Sequence, residues 1–167
     1  RTFGGSKKSI SSSDDSMTSS NQVFQSLPSA DISLEQKERI DLARNYLSSD
    51  PKVTLSEAHS LFSILGPHPL VYSLAGDAYI RLKLFSDAES CFHTALFLGS
   101  EDPSIYINVA NLCHMRGDQL LSYRYLEKLS SIAPDHDQLK KVTNLLFPSG
   151  KPKESSSPFQ FNPEQIT

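Results

Sequence analysis

The chain has no tryptophan, two cysteines and seven glycines in 167 residues, and its formal net charge is only −3. Two cysteines cannot build a disulfide scaffold, and nothing at the start reads as a secretory signal, so a cytoplasmic location with reduced thiols is expected. The near-neutral balance supplies no broad basic field, so nucleic acid is not expected as a partner. No stretch approaches the roughly 18–20 apolar residues of a membrane span. Recognisable catalytic strings are missing as well. Gly4-Gly5 and Gly150-Lys151 lack the surroundings of a phosphate-binding loop, and no nucleophile stands near a base in a motif of known spacing. Cys91 and His93 are two positions apart, which on a helix turns their side chains roughly 160° from each other. Both thiols read as structural, with no metal site, no cofactor and no enzyme expected.

Hydrophobic residues make up 38% of the chain, below the roughly 45–50% of an ordinary globular sequence. The deficit is local. Residues 1–30 contain ten serines and apolar residues without helical or strand period, a composition expected to be disordered. Residues 148–167 hold four prolines and the triplet Ser155-Ser156-Ser157, and read as a flexible Pro/Ser-rich tail. Within it, Pro158-Phe159-Gln160-Phe161-Asn162-Pro163 alternates apolar and polar residues as groove ligands often do. The apolar residues concentrate in 31–147, which is expected to be the folded unit.

That unit is helical by period. Leu70, Val71, Leu74, Ala75, Ala78, Tyr79 and Leu82 fall at spacings of three and four, one face of a helix. Ser86-Asp87 suits a new helix start before Ala88, Cys91, Phe92 and Ala95, and strand signals are absent. Laid on itself at a period of 34, the chain matches Tyr72 with Tyr106, Ala75 with Val109, Gly76 with Ala110, Tyr79 with Cys113, Ala88 with Ser122 and Phe92 with Leu126. These small, bulky and aromatic positions resemble the tetratricopeptide pattern.

A degenerate earlier copy is read from Leu42-Ala43-x-x-Tyr46 and Ala58-x-x-x-Phe62. On that match its internal connection, Leu47 to Leu55, is about three residues too long, and the junction at Gly66–Pro69 about four too short. The expected fold is an all-α tetratricopeptide superhelix, with repeats about 35–66, 69–102 and 103–136 and a capping helix at 137–147. Stacking is compulsory because each helix pair leaves one face bare.

Further residues resemble a particular set of such proteins. Ser33-Leu34-Glu35-Gln36, Leu42-Ala43-Arg44-Asn45-Tyr46, Glu57-Ala58 through Phe62 to Leu65, Glu101-Asp102-Pro103 and Gly117-Asp118 are similar to segments of the class II chaperones of bacterial type III secretion. The resemblance covers roughly 31–147, and only its first segment and the repeat count are particular to that family. It implies a cytosolic chaperone that uses no ATP and holds an extended segment of a hydrophobic translocator in a concave groove. Many members of that family form homodimers through the N-terminal region, so the resemblance allows a homodimer here through the N-terminal helix. The long Ser-rich head and Pro-rich tail exceed what the family usually carries.

In the tetratricopeptide pattern, first-helix positions 2, 5, 9 and 12 line the concave face. Repeat one then offers Lys37, Ile40, Arg44 and Leu47; repeat two Leu70, Ser73, Asp77 and Ile80; repeat three Ser104, Ile107, Asn111 and His114. Arg81 and Met115 stand one step further on. Ile40, Leu47, Leu70, Ile80, Ile107 and Met115 are expected to form apolar pockets. Arg44, Asp77 and Asn111 are expected to hold backbone groups of an extended peptide, which cannot be desolvated unpaired without cost. On this reading Ile107→Asp weakens binding and leaves helical content intact. A clamp for a C-terminal carboxylate is not expected, because position 5 holds Ile40, Ser73 and Ile107. Two other readings remain: a general scaffold that assembles partners over its groove or convex face, and a noncatalytic part of a larger enzyme or machine, which Arg at position 1 allows.

Overall fold

The computed structural model describes residues 31–154. The Ser-rich segment 1–30 and residues 155–167, including the Phe159–Phe161 stretch, lie outside them. The described residues form seven α-helices and no strand: α1 (Leu34–Asn45), α2 (Pro51–Leu65), α3 (Pro69–Arg81), α4 (Phe85–Phe97), α5 (Pro103–Met115), α6 (Gln119–Ile132) and α7 (Asp137–Leu146). Local sequence sets most of the helix starts. Ser33 and Gln36 make a reciprocal capping box on α1, Asp50, Asp102 and Asp118 cap α2, α5 and α6, and His68 and His136 cap α3 and α7 through a ring nitrogen. Proline opens α2, α3 and α5, where its missing N–H costs nothing and its fixed φ suits the first turn.

Each helix packs against the next, and first helices also meet one another, α1 against α3 and α5 against α7. The α3–α4 and α5–α6 turns share one device. Lys83 and Gly117, one sequence period apart, both take left-handed φ, at 59° and 90°. Glycine adopts that conformation freely; lysine does so at a cost.

The buried residues of the second helices repeat at the same period. Thr54, Ala88 and Ser122 follow one another in this way and are fully buried, as are Ala58, Phe92 and Leu126 within 2%, and Leu61, Ala95 and Leu129. Thr54 Oγ1 donates to the carbonyl of Ala43 at 2.7 Å, and Ser122 Oγ to that of Ala110 at 2.7 Å. This register corrects the expected match of Ala58-x-x-x-Phe62 in the first pair by about one helical turn. Thr54 occupies the place expected for Ala58, Ala58 that of Phe62, and Phe62 packs at the edge against Tyr72 with ring centroids 4.7 Å apart. The long connection and short junction vanish with the correction. The step from Ala43 to Thr54 is only one position shorter than that from Gly76 to Ala88, and the step from Leu61 to Ser73 equals that from Ala95 to Ile107.

Residue sizes compensate where first and second helices touch. Ala43 meets Ala58 in the first core cluster, and Ala110 meets Leu126 in the third. The middle pair sets Phe92 against Gly76, where an added Cβ would stand 2.6 Å from the ring. Gly76→Ala is therefore expected to destabilise the fold by about 1–2 kcal/mol, overpacking outweighing the gain in helix propensity. Adding Phe92→Leu, which copies the third pair, is expected to recover part of that loss in urea unfolding.

The chain does not leave the body at Pro148, where the flexible tail was expected to begin. Phe147 is buried, Lys151 reaches Glu127 at 3.3 Å and lies 5.8 Å over the Tyr123 ring, and Pro152 is half-buried beside the start of α6.

Candidate functional site

The first helices α1, α3 and α5 carry the sequence-predicted groove residues, and the structure divides them. Ile40, Ser73 and Ile107 share one register position and are all buried, at 2%, 2% and 5% exposure. Ile40 packs with Ala43, Ala58 and Leu61; Ile107 packs with Leu126, Leu129 and Leu139. Leu70 and Ile80 lean on the first and second core clusters. The expectation that these four supply open apolar pockets is corrected: their apolar surface is taken up wholly or partly by the protein's own core. Leu47 is half-buried, and Met115, Arg81, Lys37 and Ser104 are exposed.

What the face does present is polar. Arg44, Asp77 and Asn111, which stand at equivalent places in successive repeats, are all half-buried. Asn108 Nδ2 donates to Asp77 Oδ1 at 3.2 Å and ties α5 to α3. Burial pushes the Asp77 carboxyl up to about 6; nearby Arg44 and Arg81 oppose that shift, and Asp102 adds to it. Among the described residues, Arg44 Nε and His114 Nδ1 are buried atoms without a hydrogen-bond partner. The His114 ring stands edge-on to Phe147 with centroids 5.4 Å apart, and Phe147 in turn stands edge-on to Tyr123 at 5.2 Å.

Asn108 and Phe147 escaped the sequence reading. Phe147 was within reach of it, since it follows Cys113 by one period, as Cys113 follows Tyr79. Asn108 was not: it stands outside the four first-helix positions that the pattern assigns to the concave face, and only the packing of α5 on α3 brings it to Asp77.

A second polar cluster joins α4, α5 and α6. Arg116 binds both oxygens of Glu89 at 2.7 and 2.8 Å, and the His93 ring bridges Glu89 at 3.5 Å and the Tyr125 hydroxyl at 3.1 Å. Cys113 lies 3.9 Å from Glu89. Burial, with Glu89 adding to it, raises the Cys113 thiol to about 11; burial, with Asp87 adding, raises Cys91 to about 11. Neither thiol is therefore a thiolate at neutral pH. Arg116 and Glu89 join residues on successive helix pairs, which suits a stitch between repeats. Among the described residues no group of three His, Cys, Asp or Glu side chains gathers as a metal site, and no helix is long and apolar enough to cross a membrane.

No protein-family model matches the chain, and no curated protein matches it in sequence.

Proposed function

We propose that the chain is a tetratricopeptide superhelix that binds an extended protein segment along the face of its first helices. On this reading it works without catalysis, as a cytosolic holding chaperone for a hydrophobic translocator of type III secretion. The observation that carries the binding role is the half-buried row Arg44, Asp77 and Asn111, with Arg44 Nε and His114 Nδ1 lacking partners beside it. An extended segment brings unpaired carbonyls and amides at intervals of roughly 3.3 Å, the groups such side chains can satisfy. A carboxyl kept in a site that raises its pKa weakens the fold at neutral pH, and a role in binding accounts for its presence. The buried Ile40 and Ile107 shift the expected contact from apolar pockets toward backbone recognition, with Met115 offering apolar contact at the rim.

Co-expression with an apolar-rich candidate translocator is the test. The soluble fraction of the translocator is expected to rise severalfold with the unmodified chain, and to fall back with the pair Arg44→Ala and Asn111→Ala. No rise with the unmodified chain contradicts the chaperone role. A rise that survives both substitutions moves the site off this face. The scaffold reading would then gain from the exposed Leu84, Phe85 and Phe97 on the α3–α4 hairpin.

A further inference from the structure

The N-terminal end of the stack has an apolar face that its own repeat leaves uncovered. In the later pairs, the first-helix residues Ala75 and Val109 are 1% and 0% exposed. They are buried because the preceding second helix packs on them. Ala75 belongs to the cluster of Ala58 and Leu61 in α2, and Val109 to that of Ala88, Phe92 and Ala95 in α4. The residue of α1 at the same position, just before Ala43 as Ala75 is just before Gly76, is Leu42, and it is 58% exposed. Tyr46 and Val53 beside it are each 42% exposed, and with Leu42 they line a cleft of about 350 Å³ between α1 and α2. The Arg39–Glu57 ion pair stands at its rim.

The sequence before α1 continues the register of the second helices by one further step. Thr54, Ala58 and Leu61 lie one period before the buried Ala88, Phe92 and Ala95. One period earlier again stand Ser20, Phe24 and Leu27. The residue types agree place by place. A small or hydroxyl-bearing residue comes first (Ser20, Thr54, Ala88, Ser122), and Phe24 returns where the middle pair has Phe92. The third place holds Leu27, Leu61, Ala95 and Leu129. The connection agrees too. The step from that third residue to the start of the next first helix is the same at Leu61–Pro69, Ala95–Pro103 and Leu129–Asp137, and one position shorter at Leu27–Leu34.

We propose that residues 20–27 form a second helix of a half-repeat and dock on α1 through Phe24 and Leu27, covering Leu42, Tyr46 and Val53. Val23 apart, the rest of the segment is polar, with Ser20, Asn21, Gln22, Gln25 and Ser26, as a helix that closes a stack with its outer face in water needs to be. A helix this short is marginal alone, so its formation depends on the apolar face it covers. The docking is independent of what the first-helix face binds.

Amide hydrogen exchange on the full chain tests this, with mass measured by light scattering across a concentration range. The amides of residues 24–27, the ones with a carbonyl four residues back inside the helix, are expected to exchange about tenfold or more slowly than an unstructured chain in a monomer. Leu42→Glu, at an exposed position, is expected to release them to the unstructured rate while amides in α3–α6 keep their protection. Unstructured rates in the unmodified chain overturn the proposal. So does protection that survives Leu42→Glu, which would place the segment elsewhere. Protection that appears only as the mass doubles also overturns it, and assigns the face to a second copy of the chain.

Discussion

Ile107→Asp is expected to cost the protein at least about 3 kcal/mol, the scale of leaving an uncompensated charge in a core, and to unfold α5, α6 and α7 first. Ile107 is 5% exposed among Leu126, Leu129, Leu139 and Phe147. The substitution removes apolar contacts to these neighbours and puts a carboxylate among them. Met115→Asp makes the same chemical change on the same helix, at a residue 63% exposed, and is expected to stay within about 0.5 kcal/mol of the parent. Urea unfolding followed by circular dichroism separates the two. Full stability in the Ile107 variant together with weakened binding would restore the sequence expectation that this side chain lines an open groove.

Asp77→Asn is expected to stabilise the fold at neutral pH, by an amount that vanishes in acid. The folded carboxyl titrates near 6 against an ordinary value of 3.8. The folded state therefore binds a proton more tightly than the unfolded state, and stability falls as pH rises from about 4 to about 6. Above that window the penalty is fully present, on the order of 3 kcal/mol; below it both states are protonated and nothing is lost. Asparagine keeps an oxygen for Asn108 and carries no charge to desolvate. Burial also lowers the His68 pKa, which makes stability fall as pH drops below about 6.5, the opposite slope. That contribution is common to both proteins, so the difference between parent and variant at pH 7 and pH 4 isolates Asp77. A variant less stable than the parent at pH 7 would mean that attraction to Arg44 and Arg81 outweighs the desolvation.

The helices and most of their ends were legible because the signals are local: proline at the first turn, capping side chains before it, and apolar residues at helical spacing. The sequence period was legible for the same reason in α3 to α6. It failed in α2 because Ala58-x-x-x-Phe62 is the better match to a pattern of small and aromatic residues, while the residue that fills the place is Thr54. A threonine is tolerated there because its hydroxyl donates to the Ala43 carbonyl, a contact that no pattern of residue types encodes. The first-helix face was legible in part. The half-buried row Arg44, Asp77 and Asn111 follows from the register alone. The burial of Ile40 and Ile107 does not, because it depends on how closely α3 and α7 lie against their neighbours. The end of the folded unit was missed because Lys151 is held by Glu127 and Tyr123 on α6, a long-range contact in a stretch whose composition reads as tail.

Site-specific photocrosslinking tests the central claim most directly. A photoreactive side chain is placed at Met115, at the rim of the first-helix face, and separately at Phe97 on the second helix α4, which is 78% exposed. Each chain is then illuminated in complex with its co-expressed translocator. The account predicts a covalent adduct with the translocator from position 115 and none from position 97. Crosslinking from 97 alone would contradict it and place the partner on the side of the second helices.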